Sequence, residues 1–176
     1  RSLGSEHVGV FYDGIEIGNA QNGVVDLGRF SLDNLETISL YNGQKSAIFQ
    51  SAKDFASASS IYMTTKTPVF KEYKNYNINI KLKDGSFGLA NPSVLWEHKI
   101  SDKISSSFNA DYTSANGKYR FRQKVENSYD TTAVRQNGDI EAFRIEHSLL
   151  GKMQNGEWKT RVYFYNSERG LPGAIV

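Results

Sequence analysis

The sequence predicts a mainly β chain in two parts: a small α+β portion over residues 1–67, then antiparallel strands of an incomplete β-barrel over residues 75–176. Three observations predict it. Apolar residues alternate with polar ones at period two through most of residues 75–176, so each segment carries one apolar and one polar face. Turn dipeptides such as Asp13-Gly14 and Asn42-Gly43 cut the first part into short strand-like runs. Connections in the second part alternate between tight turns and one long polar excursion.

In the first part, His7 to Tyr12 (HVGVFY) reads as a buried strand stopped by Asp13-Gly14, with Ile15 to Ile17 as a short return. A loop follows at residues 18–23. Ser31 is expected to cap a short helical turn running to Leu35, because a serine hydroxyl accepts from a free amide of the first turn. Thr37 to Tyr41 and Ser60 to Thr65 read as two further strands. Residues 68–74 read as a linker.

In the second part, Ile78, Ile80 and Leu82 alternate with Asn77, Asn79, Lys81 and Lys83. Ile104, Phe108, Ala110 and Tyr112 alternate with Ser105, Ser107, Asn109, Asp111 and Thr113. Phe143, Ile145 and Leu149 oppose Arg144, Glu146 and Ser148, while Trp158, Val162 and Phe164 oppose Glu157, Lys159 and Arg161. Ser101 to Lys103 and Lys152 to Gly156 are short turns, and residues 115–138 form the long excursion. Short turns at one end and a long loop at the other are the pattern of an outer-membrane barrel. The apolar parity changes from even at Tyr112 to odd at Tyr119, Phe121 and Val125, so a bend or hairpin is expected at Asn116-Gly117. Ser167 to Gly173, with its Gly and Pro, cannot continue a central strand.

Composition excludes several functions. Lys and Arg number 21 against 19 Asp and Glu, a net charge of +2, which gives no reason to expect a nucleic-acid partner. No cysteine is present, so disulfides, thiolate metal sites and a cysteine nucleophile are ruled out. His7, His98 and His147 show no ligand spacing, and no GxSxG, Walker or Rossmann pattern occurs, so neither a catalytic residue, a metal nor a cofactor is expected. Lys118, Arg120, Arg122 and Lys124 fall on one face of a strand, either as a solvated face or as an attractor of an anionic ligand or lipopolysaccharide. Arg169, in the SERGLPG turn, is read first as a structural hydrogen-bond donor to the loop backbone and second as a ligand contact. Tyr and Trp residues are candidates for interfacial girdles, with core packing the equal alternative for any single one.

Residues 7–67 resemble the plug of TonB-dependent receptors. The resemblance is carried by His7 to Ile15 (HVGVFYDGI), Val25 to Phe30 (VDLGRF), Leu35 to Gln44 (LETISLYNGQ), Lys45 to Phe49 (KSAIF) and the closing strand Ser60 to Thr65 (SIYMTT). Tyr112 to Arg120 (YTSANGKYR) and Ser167 to Gly173 (SERGLPG) are similar to receptors of the Bacteroidetes group, often classed as vitamin B12 receptor-like. Two segments depart from the family pattern. Phe49 to Ser60 lacks the glycines of the usual Tyr-Gly-Ser-x-Ala-x-Gly-Gly run, and Ser39 to Gly43 replaces Glu-Val-x-Arg-Gly.

The resemblance implies a barrel of about 22 strands closed by an N-terminal plug. It implies location in the bacterial outer membrane, contact with outer-membrane lipid, and uptake of a small-molecule nutrient driven by the TonB energy-coupling complex. Vitamin B12 or a related corrinoid is the first candidate substrate, and a siderophore or glycan the alternative. By the same resemblance, Asn19, Gln21, Asn22 and Gly23 match a plug-apex loop that contacts ligand. Both ends look cut, so a transport-incompetent fragment that self-associates through open sheet edges is expected. A soluble β-sandwich binding module is the rival of another class; it would bury the alternating apolar faces in one dry core.

Overall fold

The computed structural model describes residues 4, 7–18, 23–42, 57–124 and 130–173, the side chains of residues 123–124 and 130–131 excepted. The fold is mainly β. The chain divides into two compact units, Arg1–Thr67 and Pro68–Val176.

The first unit is a four-stranded sheet built from β1 (Val8–Tyr12), β2 (Ile15–Ile17), β3 (Leu35–Asn42) and β4 (Ser59–Thr65), in the order β2-β1-β4-β3. Asp13-Gly14 forms the β1–β2 turn, with both residues at positive φ (47° and 81°), which Asp and Gly tolerate better than other residues. β4 lies between β1, to which it is parallel, and β3, to which it is antiparallel. The Asp13 carboxylate locks that arrangement: it accepts from the Thr65 amide at 2.8 Å and the Thr65 hydroxyl at 2.7 Å.

One face of this sheet buries Val10, Tyr12, Phe30, Leu35 and Met63, with Ile17, Val25 and Ile61 packed against them. Tyr12 stacks on Phe30, with ring centroids 5.1 Å apart. The other face stacks Phe11 on Tyr62 at 4.9 Å, and Tyr41 meets Tyr62 edge-on. Full burial of each large side chain contributes roughly 1.5–3 kcal/mol, so this unit is held together by an apolar interior.

Among the described residues helix is confined to 3-10 turns, as at Leu27–Arg29, where the Asp26 carboxylate accepts from the Gly28 amide at 2.9 Å. Ser31 does not cap a helical turn to Leu35. Its hydroxyl accepts from the Asp33 amide two residues on, at 3.4 Å, and β3 begins at Leu35 instead. A serine that closes a local side-chain turn competes with helix, and the pairing of Leu35 with Thr65 settles the contest.

The second unit holds a five-stranded antiparallel sheet of β5 (Tyr76–Gly85), β6 (Leu89–Lys99), β7 (Ile104–Ala115), β10 (Ile140–Met153) and β11 (Gly156–Arg169), in the order β11-β10-β7-β6-β5. The long connection from β7 to β10 carries a separate hairpin, β8 (Arg120–Lys124) with β9 (Asp130–Val134). The five sheet strands run 10 to 14 residues. Ordinary strands average about 5–6 residues, whereas a tilted membrane-crossing strand needs about 9–11.

Pro92 sits in the interior strand β6, where its missing N–H would leave a gap in the ladder. The Asn91 side-chain amide fills it, donating to the Tyr112 carbonyl at 2.8 Å and the Thr113 hydroxyl at 2.9 Å. The predicted break at Asn116-Gly117 is a bend: Gly117 has φ +59°, and β7 pairs with β6 and β10 rather than with β8. β11 continues through Ser167, Glu168 and Arg169 on its β10 ladder and stops at Gly170, slightly beyond the expected end. The connection between β5 and β6 is only the turn Ser86–Gly88, so the loop asymmetry rests on the single excursion between β7 and β10. No described helix is long and apolar enough to cross a membrane, which says nothing about strands.

Candidate functional site: the two faces of the five-stranded sheet

The register lines up residues in rows that cross all five strands. One row is Ile78, Trp96, Phe108, His147 and Val162; the next is Ile80, Val94, Ala110, Ile145 and Phe164. These rows form an apolar face that is exposed along both edge strands, where Ile80 is 69% accessible and Val162 68%, and half-buried at Val94, Phe108 and Ile145 between them. A β-sandwich would bury this face.

The opposite face carries Asn77, Glu97, Ser107, Ser148 and Arg161 in one row. Asn79, Leu95, Asn109, Glu146 and Tyr163 form the second, and Lys81, Ser93, Asp111, Arg144 and Tyr165 the third. This polar face is buried over the central strands, with Asn109 and Asp111 only 3% and 4% accessible, and half-buried to exposed at the edge strands. The sheet is therefore polar where it is covered and apolar where it is open, the reverse of a water-soluble sheet.

Charge on the buried face is matched across strands. Arg144 donates to Asp111 at 2.7 Å and lies over the Tyr165 ring at 5.6 Å. Arg161 pairs with Glu146 at 3.1 Å and reaches the Ser148 hydroxyl at 3.4 Å. Asn77 donates to Glu97 at 2.9 Å. Asn109 Oδ1 and Asp111 Oδ1 are buried without a protein partner, so the face keeps hydrogen-bond acceptors in reserve.

The ends of the sheet differ as well. Near the short turns, the apolar face presents Tyr76, Trp96 and Trp158; toward the long excursion it presents Tyr112 and Phe143. Trp158 lies directly over Gly151, where an added Cβ would sit 2.1 Å from the indole, so only glycine admits this ring. In the turn between β6 and β7, Lys99 bonds Asp102 at 2.6 Å, and this hydrogen bond holds the Asp102 carboxyl below its ordinary range.

Of the predicted ligand-contact loop, only Gly23 lies among the described residues, exposed and at φ +71°. Asn19, Gln21 and Asn22 lie outside them, as do Lys45 to Phe49 and Val125. Arg169 donates to the Tyr165 hydroxyl at 2.8 Å, a contact within its own strand. His147 shares a hydrogen bond with Ser106 at 2.9 Å, and His98 stacks on Trp96. No group of three or more His, Asp or Glu that could hold a metal ion occurs among the described residues. The cross-strand pairs of Asp111 with Arg144 and Glu146 with Arg161 escaped sequence reasoning, because only the register brings residues so far apart in sequence together. The charges at polar strand positions were the available signal.

Residues 1–53 match the TonB-dependent Receptor Plug Domain. The match supports the TonB-dependent receptor family. Proteins with such plugs are outer-membrane transporters of Gram-negative bacteria rather than enzymes. No curated protein matches the chain. The plug match takes in β1, β2 and β3 and stops before β4, yet β4 is hydrogen-bonded to both β1 and β3. The plug-matched sheet is thus complete only with residues beyond the match. The five-stranded sheet lies outside it altogether, and its reading rests on geometry.

Proposed function

We propose that this chain is part of a TonB-dependent outer-membrane receptor of the Bacteroidetes, vitamin B12 receptor-like kind, taking up cobalamin or a related corrinoid. Residues 1–67 are the later part of the plug, 68–74 the linker, and 75–176 the first barrel strands. One observation carries the barrel reading: a sheet of spanning-length strands that exposes its apolar rows and covers its ion-paired polar rows. Lipid accounts for the first face and a polar lumen for the second. The aromatic residues near both ends of the apolar face then serve as interfacial girdles. The outer edges of β5 and β11 have no pairing strand among the described residues, as expected where further barrel strands continue the sheet.

In this reading the plug loop at Asn19, Gln21, Asn22 and Gly23 contributes amide donors and acceptors to the ligand, and energy reaches the plug from the TonB complex. The substrate is tested by uptake of labelled cobalamin, a ferric siderophore and an oligosaccharide in a receptor-deficient Gram-negative host expressing the full-length protein. TonB-dependent accumulation of cobalamin alone supports the corrinoid assignment. Accumulation of either other ligand instead replaces it with the siderophore or glycan alternative.

A further inference from the structure

Asparagine followed by glycine carries a chemistry of its own. With no side chain on the second residue, its backbone nitrogen can reach the asparagine Cγ and close a five-membered imide. Three such pairs lie wholly among the described residues: Asn116-Gly117, Asn137-Gly138 and Asn155-Gly156. The ring closes only when the pair swings into attack geometry. The surroundings of each pair therefore decide which one reacts.

Two of the pairs are clamped. Gly117, at φ +59°, lies so close to Gly138 that an added Cβ would stand 1.9 Å from the Gly138 carbonyl oxygen. The Asn116 amide donates to the Phe87 carbonyl at 3.0 Å, and the Asn116 side-chain oxygen accepts from the Lys118 amide at 2.9 Å. Asn137 sits at φ +57°, its carbonyl oxygen 2.6 Å from where a Cβ on Gly170 would stand. The Gly170 amide is itself bonded to the Asp139 carbonyl at 2.9 Å. Turning either pair would push one backbone segment into another. The third pair is open. Gln154 and Asn155 form the two-residue turn between β10 and β11, closed by the pairing of Met153 with Gly156. Met153 to Gly156 is exposed throughout, and a Cβ added at Gly156 would meet nothing within 4 Å.

We propose that Asn155 is a site of self-modification, converting through a cyclic imide to aspartate and isoaspartate. The Gly156 backbone nitrogen forms a bond to Asn155 Cγ and loses its proton, while the bond from Cγ to the side-chain nitrogen breaks and ammonia leaves. Water then opens the imide. Attack at Cγ restores the backbone and leaves aspartate; attack at the backbone carbonyl leaves the chain running through Cγ, as isoaspartate. One water is consumed and one ammonia released, with no change of oxidation state. Isoaspartate lengthens the backbone and adds a negative charge inside the turn that sets the β10–β11 register. Trp158, held over Gly151 beside that turn, is then loosened. None of this chemistry depends on the receptor reading.

The full chain in maltoside micelles is aged at mildly alkaline pH, digested, and mapped by fragmentation mass spectrometry that separates isoaspartate from aspartate. Asn155 is expected to convert about fivefold or more faster than Asn116 and Asn137 while the chain is folded. In urea, with the clamps gone, the three should react within about twofold of one another. G156A is expected to slow conversion of Asn155 about tenfold or more, because a side chain on the attacking residue hinders its approach. That position has room for the methyl, and far-UV circular dichroism checks the fold; the comparison with urea needs no variant. In a W96F background Trp158 is the remaining indole, and its emission should move to longer wavelength in step with isoaspartate at 155. Asn116 or Asn137 converting as fast as Asn155 in the folded chain overturns the proposal, and so does equal protection of all three. Emission unchanged at high conversion overturns the loosening of Trp158.

Discussion

The two sheets of this chain solve the same problem in opposite directions. In the four-stranded sheet, Val10, Tyr12, Leu35 and Met63 turn inward to an apolar core. In the five-stranded sheet, Ile78, Ile80, Val162 and Phe164 stay open while Asp111, Glu146 and Ser148 are covered. Both patterns come from alternation along a strand. In the receptor reading proposed above, what differs is the solvent each sheet is written for: water around the first, and hydrocarbon against the apolar side of the second. Burial alone therefore does not identify a core; the polarity of what is buried does.

That contrast can be broken at its strongest points first. In the plug-matched sheet, Phe11→Ala removes a fully buried ring and is expected to destabilise that unit by about 3–5 kcal/mol, read by denaturant unfolding followed at Tyr and Phe signals. In the second sheet the equivalent loss comes from a charge. Asp111→Ala leaves Arg144 without its 2.7 Å carboxylate partner and is expected to cost up to about 3–5 kcal/mol in micelles. An unchanged unfolding midpoint for Asp111→Ala would mean that the polar face is wetter than its burial implies.

A third substitution separates the two solvents directly. Val162→Lys puts a charge on the open face and is expected to cost about 2–4 kcal/mol in a bilayer near mid-depth, but little in aqueous buffer. Bilayer folding yields and buffer stabilities of the same variant make the comparison. Gly151→Ala should cost about 1–3 kcal/mol, because the new methyl displaces the Trp158 ring, and Trp158→Leu in the same background should recover most of it.

The smallest effect is electrostatic. Since Lys99 depresses the Asp102 carboxyl, its contribution is present above the unfolded-state value and fades as pH falls through the folded one. NMR titration of Asp102 should show the depressed midpoint, and Lys99→Gln should return it toward the ordinary carboxylate range.

Much of this was legible in the residues, and for physical reasons. Strand period is two, so Ile78, Ile80 and Leu82 declare a face without any partner, and Asp13-Gly14 declares a turn because few other pairs accept positive φ at both positions. What alternation cannot say is which face is covered, since the same pattern serves a soluble sandwich and a barrel. Nor can it give register, so the pairing of Arg144 with Asp111 and of Arg161 with Glu146 appears only in the fold. Ser31 departs from its expected role for a related reason: its turn-forming hydroxyl suits a helix cap or a local loop equally, and the pairing of Leu35 with Thr65 chooses.

The polarity reversal of the five-stranded sheet is tested most directly by site-directed spin labelling, which the absence of cysteine makes clean. Single cysteines are placed at 78, 79, 80 and 81 on β5 and at 162, 163 and 164 on β11 of this chain in bilayers. Labels at 78, 80, 162 and 164 should be accessible to dissolved oxygen and shielded from a water-soluble nickel chelate, with 79, 81 and 163 shielded from oxygen. The same accessibility at neighbouring positions, or oxygen access at 79, 81 and 163 instead, would contradict it.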